Sequence, residues 1–165
     1  MGMILSLMRI SEEDLNNYLK DSTLLEKDFY ADHSLEEELK LIDLDKSWDG
    51  ILYLLNGEGM AGAGEGLSCL LLSGQLVDKE QDLGYGPAHY LTPIEVQQYY
   101  QELSNWTTQD LQNRFDPEDM TARGIYPSIQ WDASELEYLM VNVSLMQEFY
   151  AKAAAEGEAV ISVIS

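Results

Sequence analysis

The sequence is poor in the residues that staple or arm small proteins. Cys69 is the one cysteine in 165 residues, so no intrachain disulfide forms and no thiolate metal cluster assembles within one chain. The two histidines, His33 and His89, lie far apart with no third nitrogen or sulfur ligand at metal spacing, so no metal is expected. Lysine and arginine total nine against thirty aspartates and glutamates, a formal charge of −21. No basic patch interrupts that excess, which argues against nucleic acid and anionic membrane surfaces as partners. No stretch approaches the ~20 apolar residues of a membrane span. The apolar opening, residues 1–9, is too short for a signal segment with a basic flank, so the expected location is cytoplasmic. Two glycosylation sequons, at Asn105 and Asn142, are then chance matches. There is no G-x-S-x-G elbow for a serine nucleophile, and no cofactor is implied.

What is present is a periodic, core-forming chain. Apolar residues make up 45% of the sequence and are spread along it rather than gathered in one run. At this length a chain buries roughly 70% of its unfolded surface, so no staple is needed. Residues 4–9 read as a strand, and Ser11 followed by Glu12, Glu13 and Asp14 reads as a capped helix start. Residues 21–45 look helical but frayed, with Leu24, Leu25, Phe29, Leu35, Leu39, Leu41 and Ile42 among many acids. Trp48, Ile51, Leu52 and Leu55 share one face of a helix that Asn56-Gly57 stops, and Asp45 is its expected cap. Residues 67–72 fit either a buried helical turn or a strand.

The strongest local signal is Thr92-Pro93-Ile94-Glu95, with threonine at the N-cap, proline at N1 and glutamate at N3 of a helix over 93–105. A strand at 88–91 feeds it. Shorter helices follow from Thr108 and from Asp116-Pro117, and Asp132 opens the longest, which Gly157 ends. Residues 159–164 form a closing β-branched strand. Strands at both ends and in the middle, separated by helices, predict an α/β chain whose small sheet is covered on both faces. With no repeat and no long linker, residues 1–165 read as one domain.

Taken in order, Met1-Gly2-Met3-Ile4, Leu44-Asp45-Lys46-Ser47-Trp48, Gly84-Tyr85-Gly86-Pro87-Ala88, Tyr90-Leu91-Thr92, Ile125-Tyr126-Pro127 and Gly157-Glu158-Ala159-Val160 resemble the YfbM-like family of small bacterial proteins. The likeness spans nearly the whole chain. It implies a three-layer α/β/α sandwich and a domain of unknown function, with no family catalytic residue to carry over. The glycine-rich stretch 57–66 departs from the family pattern.

Candidate site residues follow from aromatic and glycine clustering. Gly57-Glu58-Gly59-Met60-Ala61-Gly62 matches G-x-G-x-x-G, but a helix precedes it and Glu58 and Glu65 oppose phosphate, so it reads as a flexible connector. Gly84-Tyr85-Gly86-Pro87 shapes a turn that either is purely structural or presents Tyr85 and backbone amides to a ligand. His89 reads as a hydrogen-bonded strand histidine, with general base as the alternative. Cys69 reads as a buried, inert thiol. Trp48, Tyr126 and Trp131 are either a lid on the core or walls of a pocket with Tyr85.

The ligand-binding set is therefore Trp48, Tyr85, Gly86, His89, Tyr126 and Trp131, in a non-enzymatic module that binds a small molecule or protein. Two alternatives stand beside it: an acidic inhibitor or immunity-type protein masking a basic partner, and a hydrolase using His89 with a carboxylate from elsewhere. The charge itself has a measurable consequence, because self-repulsion destabilises the folded state and salt screens it. The melting temperature should rise between low and moderate salt; a fall over that range contradicts the reading.

Overall fold

The computed structural model describes residues 2–38, 40–127 and 130–165. Met1 of the opening motif and Leu39 of the frayed helical stretch lie outside them. Two six-residue strands, β1 (Leu5–Ile10) and β4 (Ala159–Ile164), pair antiparallel along their whole length, from Leu5 opposite Ile164 to Ile10 opposite Ala159. β2 (Leu41–Asp43) adds to the outer side of β1 and β3 (His89–Leu91) to the outer side of β4. The result is one antiparallel sheet in the order β2-β1-β4-β3.

Both faces of this sheet are buried, because the side chains of β1 and β4 alternate between two cores. Leu5, Leu7, Val160 and Ile164 enter the larger core, and Met8, Ile10, Ala159, Ile161 and Val163 the smaller. Helices α1 (Glu12–Lys20) and α2 (Ser22–Phe29) close the smaller core through Leu15, Tyr18 and Leu25. A short helix, α3 (Leu35–Glu38), precedes β2. The larger core is filled from α4 (Trp48–Asn56), α5 (Pro93–Leu103), α6 (Thr108–Gln112), α7 (Pro117–Arg123) and α8 (Leu136–Glu156). The fold is mixed α/β. No helix among the described residues is long and apolar enough to cross a membrane.

Most helix starts stand where side-chain chemistry places them. Ser11 Oγ accepts from the Asp14 N–H at 3.0 Å, Asp116 accepts from Asp119, and Thr92 and Glu95 cap α5 reciprocally. Gly157, at φ 65°, ends α8 in the left-handed conformation that glycine adopts without strain, and the chain turns into β4.

Three expectations need correction. Residues 41–43 belong to a strand: three residues are too few to show a period, and pairing with β1 decides their conformation. Asp45 does not cap α4; it has φ 50°, lies in a 3-10 turn (Asp45–Ser47), and its carboxylate accepts from the Tyr138 hydroxyl at 2.7 Å. The glycine-rich stretch is no plain connector but forms a 3-10 turn, Gly59–Gly62. Of the two alternatives for residues 67–72 the buried helical turn holds, in a second 3-10 turn, Gly66–Leu70, that buries Leu67, Ser68, Cys69 and Leu70.

The central strands set stability. Ile161 is fully buried, so Ile161→Ala should cost ~2–5 kcal/mol in chemical denaturation. Ile94→Ala, at a position 69% exposed, should stay within ~0.5 kcal/mol of the parent.

Candidate functional site

The turn before β3 is built by one carboxylate. Asp82 Oδ1 accepts from the N–H groups of both Gly84 and Gly86, at 2.9 and 3.0 Å, and these bonds hold its carboxyl below the usual range. Gly84 has φ 132°, and a Cβ there would lie 2.9 Å from Ser165 Cα, so only glycine lets the turn approach the end of β4. The Tyr85 N–H donates to the Ile164 carbonyl at 3.0 Å. The Tyr85 ring is left 52% exposed, above the sheet end.

His89 follows on β3, opposite Ser162 of β4. Its Nδ1 accepts from the Gly74 N–H at 3.0 Å. Burial disfavours the charged ring and lowers its pKa, so the imidazole is neutral at pH 7. A neutral ring whose Nδ1 accepts carries its proton on Nε2. His89 therefore offers one donor.

Tyr85 and His89 share the wall of one cavity of about 370 Å³, with Leu72, Leu76 and Ile164 and with Met60 from the glycine-rich segment. Its lining is mainly apolar, and Met60, Leu76 and Tyr85 are among the few large apolar side chains left exposed among the described residues. That volume lies at the small end of pockets that take small molecules.

A buried carboxylate positions the Met60 side of the cavity. Asp49, in the first turn of α4, accepts from the Met60 N–H through Oδ1 at 2.6 Å and from the Tyr126 N–H through Oδ2 at 2.8 Å. Burial pushes its carboxyl above the usual range, although both bonds pull the other way. A Cβ on Gly59 would meet that Oδ1 at 2.7 Å, so a glycine is required there.

The remaining aromatic candidates lie elsewhere. Trp48 is 1% exposed, stacks on Tyr126 at 5.6 Å between ring centres, and donates from Nε1 to the Met3 carbonyl. The Tyr126 hydroxyl accepts from the Met3 N–H. Trp131 is buried, donates from Nε1 to the Ile125 carbonyl at 2.8 Å, and packs its ring against Gly50. These three rings join the core and none lines the His89 cavity. Gly86 shapes the turn at φ 104°. Cys69 is free and buried, and its thiol near the Tyr99 hydroxyl, together with burial, pushes that phenol up to about 12. Among the described residues no group of three or more histidine, cysteine or carboxylate side chains is placed to hold a metal.

The family model described as "Domain of unknown function (DUF1877)" matches residues 1–163. The chain belongs to the DUF1877 family. It is similar over 99% of its length to all of a crystallised Escherichia coli chain, YfbM, itself described as a protein of unknown function, at 19% identity and a TM-score of 0.75. At that identity the likeness carries the fold. No curated protein matches this chain significantly. The resemblance drawn from the ordered motifs is thus upheld, and the DUF1877 fold supplies no assigned chemistry to transfer.

Met60, Leu72, Leu76 and Ile164 were not legible as site residues, since each looks like an ordinary core position. Asp49 had a signal, a carboxylate directly after the buried Trp48. Asp49→Asn leaves one of two N–H donors without an acceptor and should destabilise by ~1–3 kcal/mol. Because the folded carboxyl is raised, its contribution is fully present below the unfolded value of about 4 and is lost as pH rises through the folded value. The stability gap between parent and Asp49→Asn, measured by urea denaturation, should therefore shrink from pH 4 to pH 7.

Proposed function

We propose that residues 1–165 form one three-layer α/β/α unit that works as a binding module, taking a neutral, mainly apolar small molecule with one hydrogen-bond acceptor into the His89 cavity. The observation that carries this reading is an Nε2–H donor on His89, held in one tautomer by the Gly74 N–H, on the wall of a mainly apolar cavity whose other polar side chain is the Tyr85 phenol. Ring carbons and side chains such as Leu72, Leu76 and Tyr85 supply apolar contact, and the donor selects orientation. The charge of −21 disfavours anionic ligands at long range.

The same geometry weighs against a hydrolase using His89. A general base needs a free nitrogen lone pair to take a proton, whereas the Nδ1 lone pair is taken by a backbone N–H and Nε2 already carries the proton. The binding reading uses the histidine as it stands.

Matched eight-carbon probes test it. 2-Octanone should raise the melting temperature, while octanoate and octylammonium should not. His89→Phe should weaken 2-octanone binding about fivefold, the worth of one hydrogen bond. Tyr85→Ala should weaken it through lost apolar contact. Affinity should hold from pH 8 down to about 6.5, the ordinary histidine value, and fall only below it, because protonation removes the Nδ1 acceptor and puts a charge in the cavity. Equal binding of the three probes, or indifference to both substitutions, overturns the proposal.

A further inference from the structure

The other end of the central strand pair holds a different kind of cavity. Leu5 and Ile164 meet at the His89 end, and Ile10 and Ala159 meet about 17 Å away, five strand residues along. There, residues from β1, α1, the segment before β2 and the α8–β4 junction line a cleft of about 670 Å³. Its lining is charged.

At the bottom of the cleft is Arg9, 7% exposed, in a strand whose other residues are almost all apolar. Its Nη1 donates to Glu158 Oε2 at 2.9 Å and lies 3.6 Å from Glu156 Oε2. Lys40 donates to the other Glu158 oxygen at 3.0 Å. Glu158 thus occupies one guanidinium nitrogen. Among the described residues, Nε and Nη2 of Arg9 have no acceptor. His33 Nε2, on the same cleft wall, is enclosed without a partner, whereas the two open Arg9 nitrogens reach the solvent of the cleft. A buried side chain with donors open to a cleft, beside an enclosed nitrogen without a partner, marks a place where something outside the chain completes the bonding.

The charges sort by depth. The buried members are Arg9 and Glu158, already paired. The exposed members are Asp14, Asp28, Asp32, Glu37 and Glu156, with Lys40 as the one cation. Asp28 accepts from the Tyr18 hydroxyl and Glu37 from the Ser34 N–H. The carboxylates of Asp14 and Asp32 have no hydrogen bond or ion pair among the described residues. A simple anion would meet repulsion at this rim, and a simple cation would meet the guanidinium at the bottom. One ligand class satisfies both.

We propose that this cleft binds a free amino acid as its zwitterion, with the carboxylate seated bidentately on the open Nε–Nη2 edge of Arg9 and the ammonium outward between Asp14 and Asp32. The site is independent of the His89 cavity. Binding needs no covalent step and no added cofactor.

Calorimetry and thermal shift with matched five-carbon probes at about 10 mM, enough to register millimolar affinity, test the proposal. 5-Aminopentanoate or L-norvaline should bind and stabilise, and pentanoate and pentylamine should not. Asp14→Asn with Asp32→Asn, both at exposed positions, should keep the fold and weaken zwitterion binding about tenfold. Arg9→Lys keeps the charge and loses the fork, and should abolish detectable binding while 2-octanone binding at His89 persists. Absence of binding by either zwitterion, equal binding by a singly charged probe, or no effect of the double asparagine substitution overturns the inference.

Discussion

The pairing of β1 with β4 is the constraint on which the rest depends. These strands come from opposite ends of the sequence, and their register from Leu5–Ile164 to Ile10–Ala159 joins the first and last elements into the middle of the sheet. Each contributes apolar side chains to both cores, and burial of each such side chain contributes roughly 1.5–3 kcal/mol. Contacts at that sequence separation carry a large loop-closure entropy, so the intervening helices must pack well to stabilise the pair. The two cavities then fall at the two ends of this pair. Their separation follows from strand length.

The two ends differ because different residues terminate the strands. At the Leu5–Ile164 end the chain meets glycine turns and apolar side chains, and an imidazole N–H and the Tyr85 phenol are the polar side-chain groups of the wall. At the Ile10–Ala159 end it meets helix α1, the exit of α8 and the polar segment before β2, so a guanidinium is enclosed among carboxylates. Asp49 links the first of these ends to the interior. Its two oxygens hold the Met60 and Tyr126 backbones together, at the cost of keeping a carboxylate out of water.

Much of the fold was legible where local chemistry is decisive. Thr92-Pro93-Ile94-Glu95, Asp116-Pro117 and Gly157 act through bonds within a few residues, and each stands at the boundary its chemistry implies. β2 was not legible, because Leu41, Ile42 and Asp43 become a strand only through β1. The site was half legible. Glycine and proline around Tyr85 signalled a shaped turn, and His89 lies with Tyr85 on one wall. Trp48, Tyr126 and Trp131 share aromatic character with ligand walls but pack inward, and sequence spacing carries no depth information. Arg9 was the overlooked signal: a guanidinium inside an apolar strand must find counter-charges.

The claim that carries the functional account is the state of one imidazole, and long-range nitrogen-15 NMR of His89 at pH 7 reads it directly. The account predicts a neutral ring protonated at Nε2, with Nε2 shifting when 2-octanone is added. A ring protonated at Nδ1, a doubly protonated ring, or an Nε2 resonance unmoved by the ketone would contradict it.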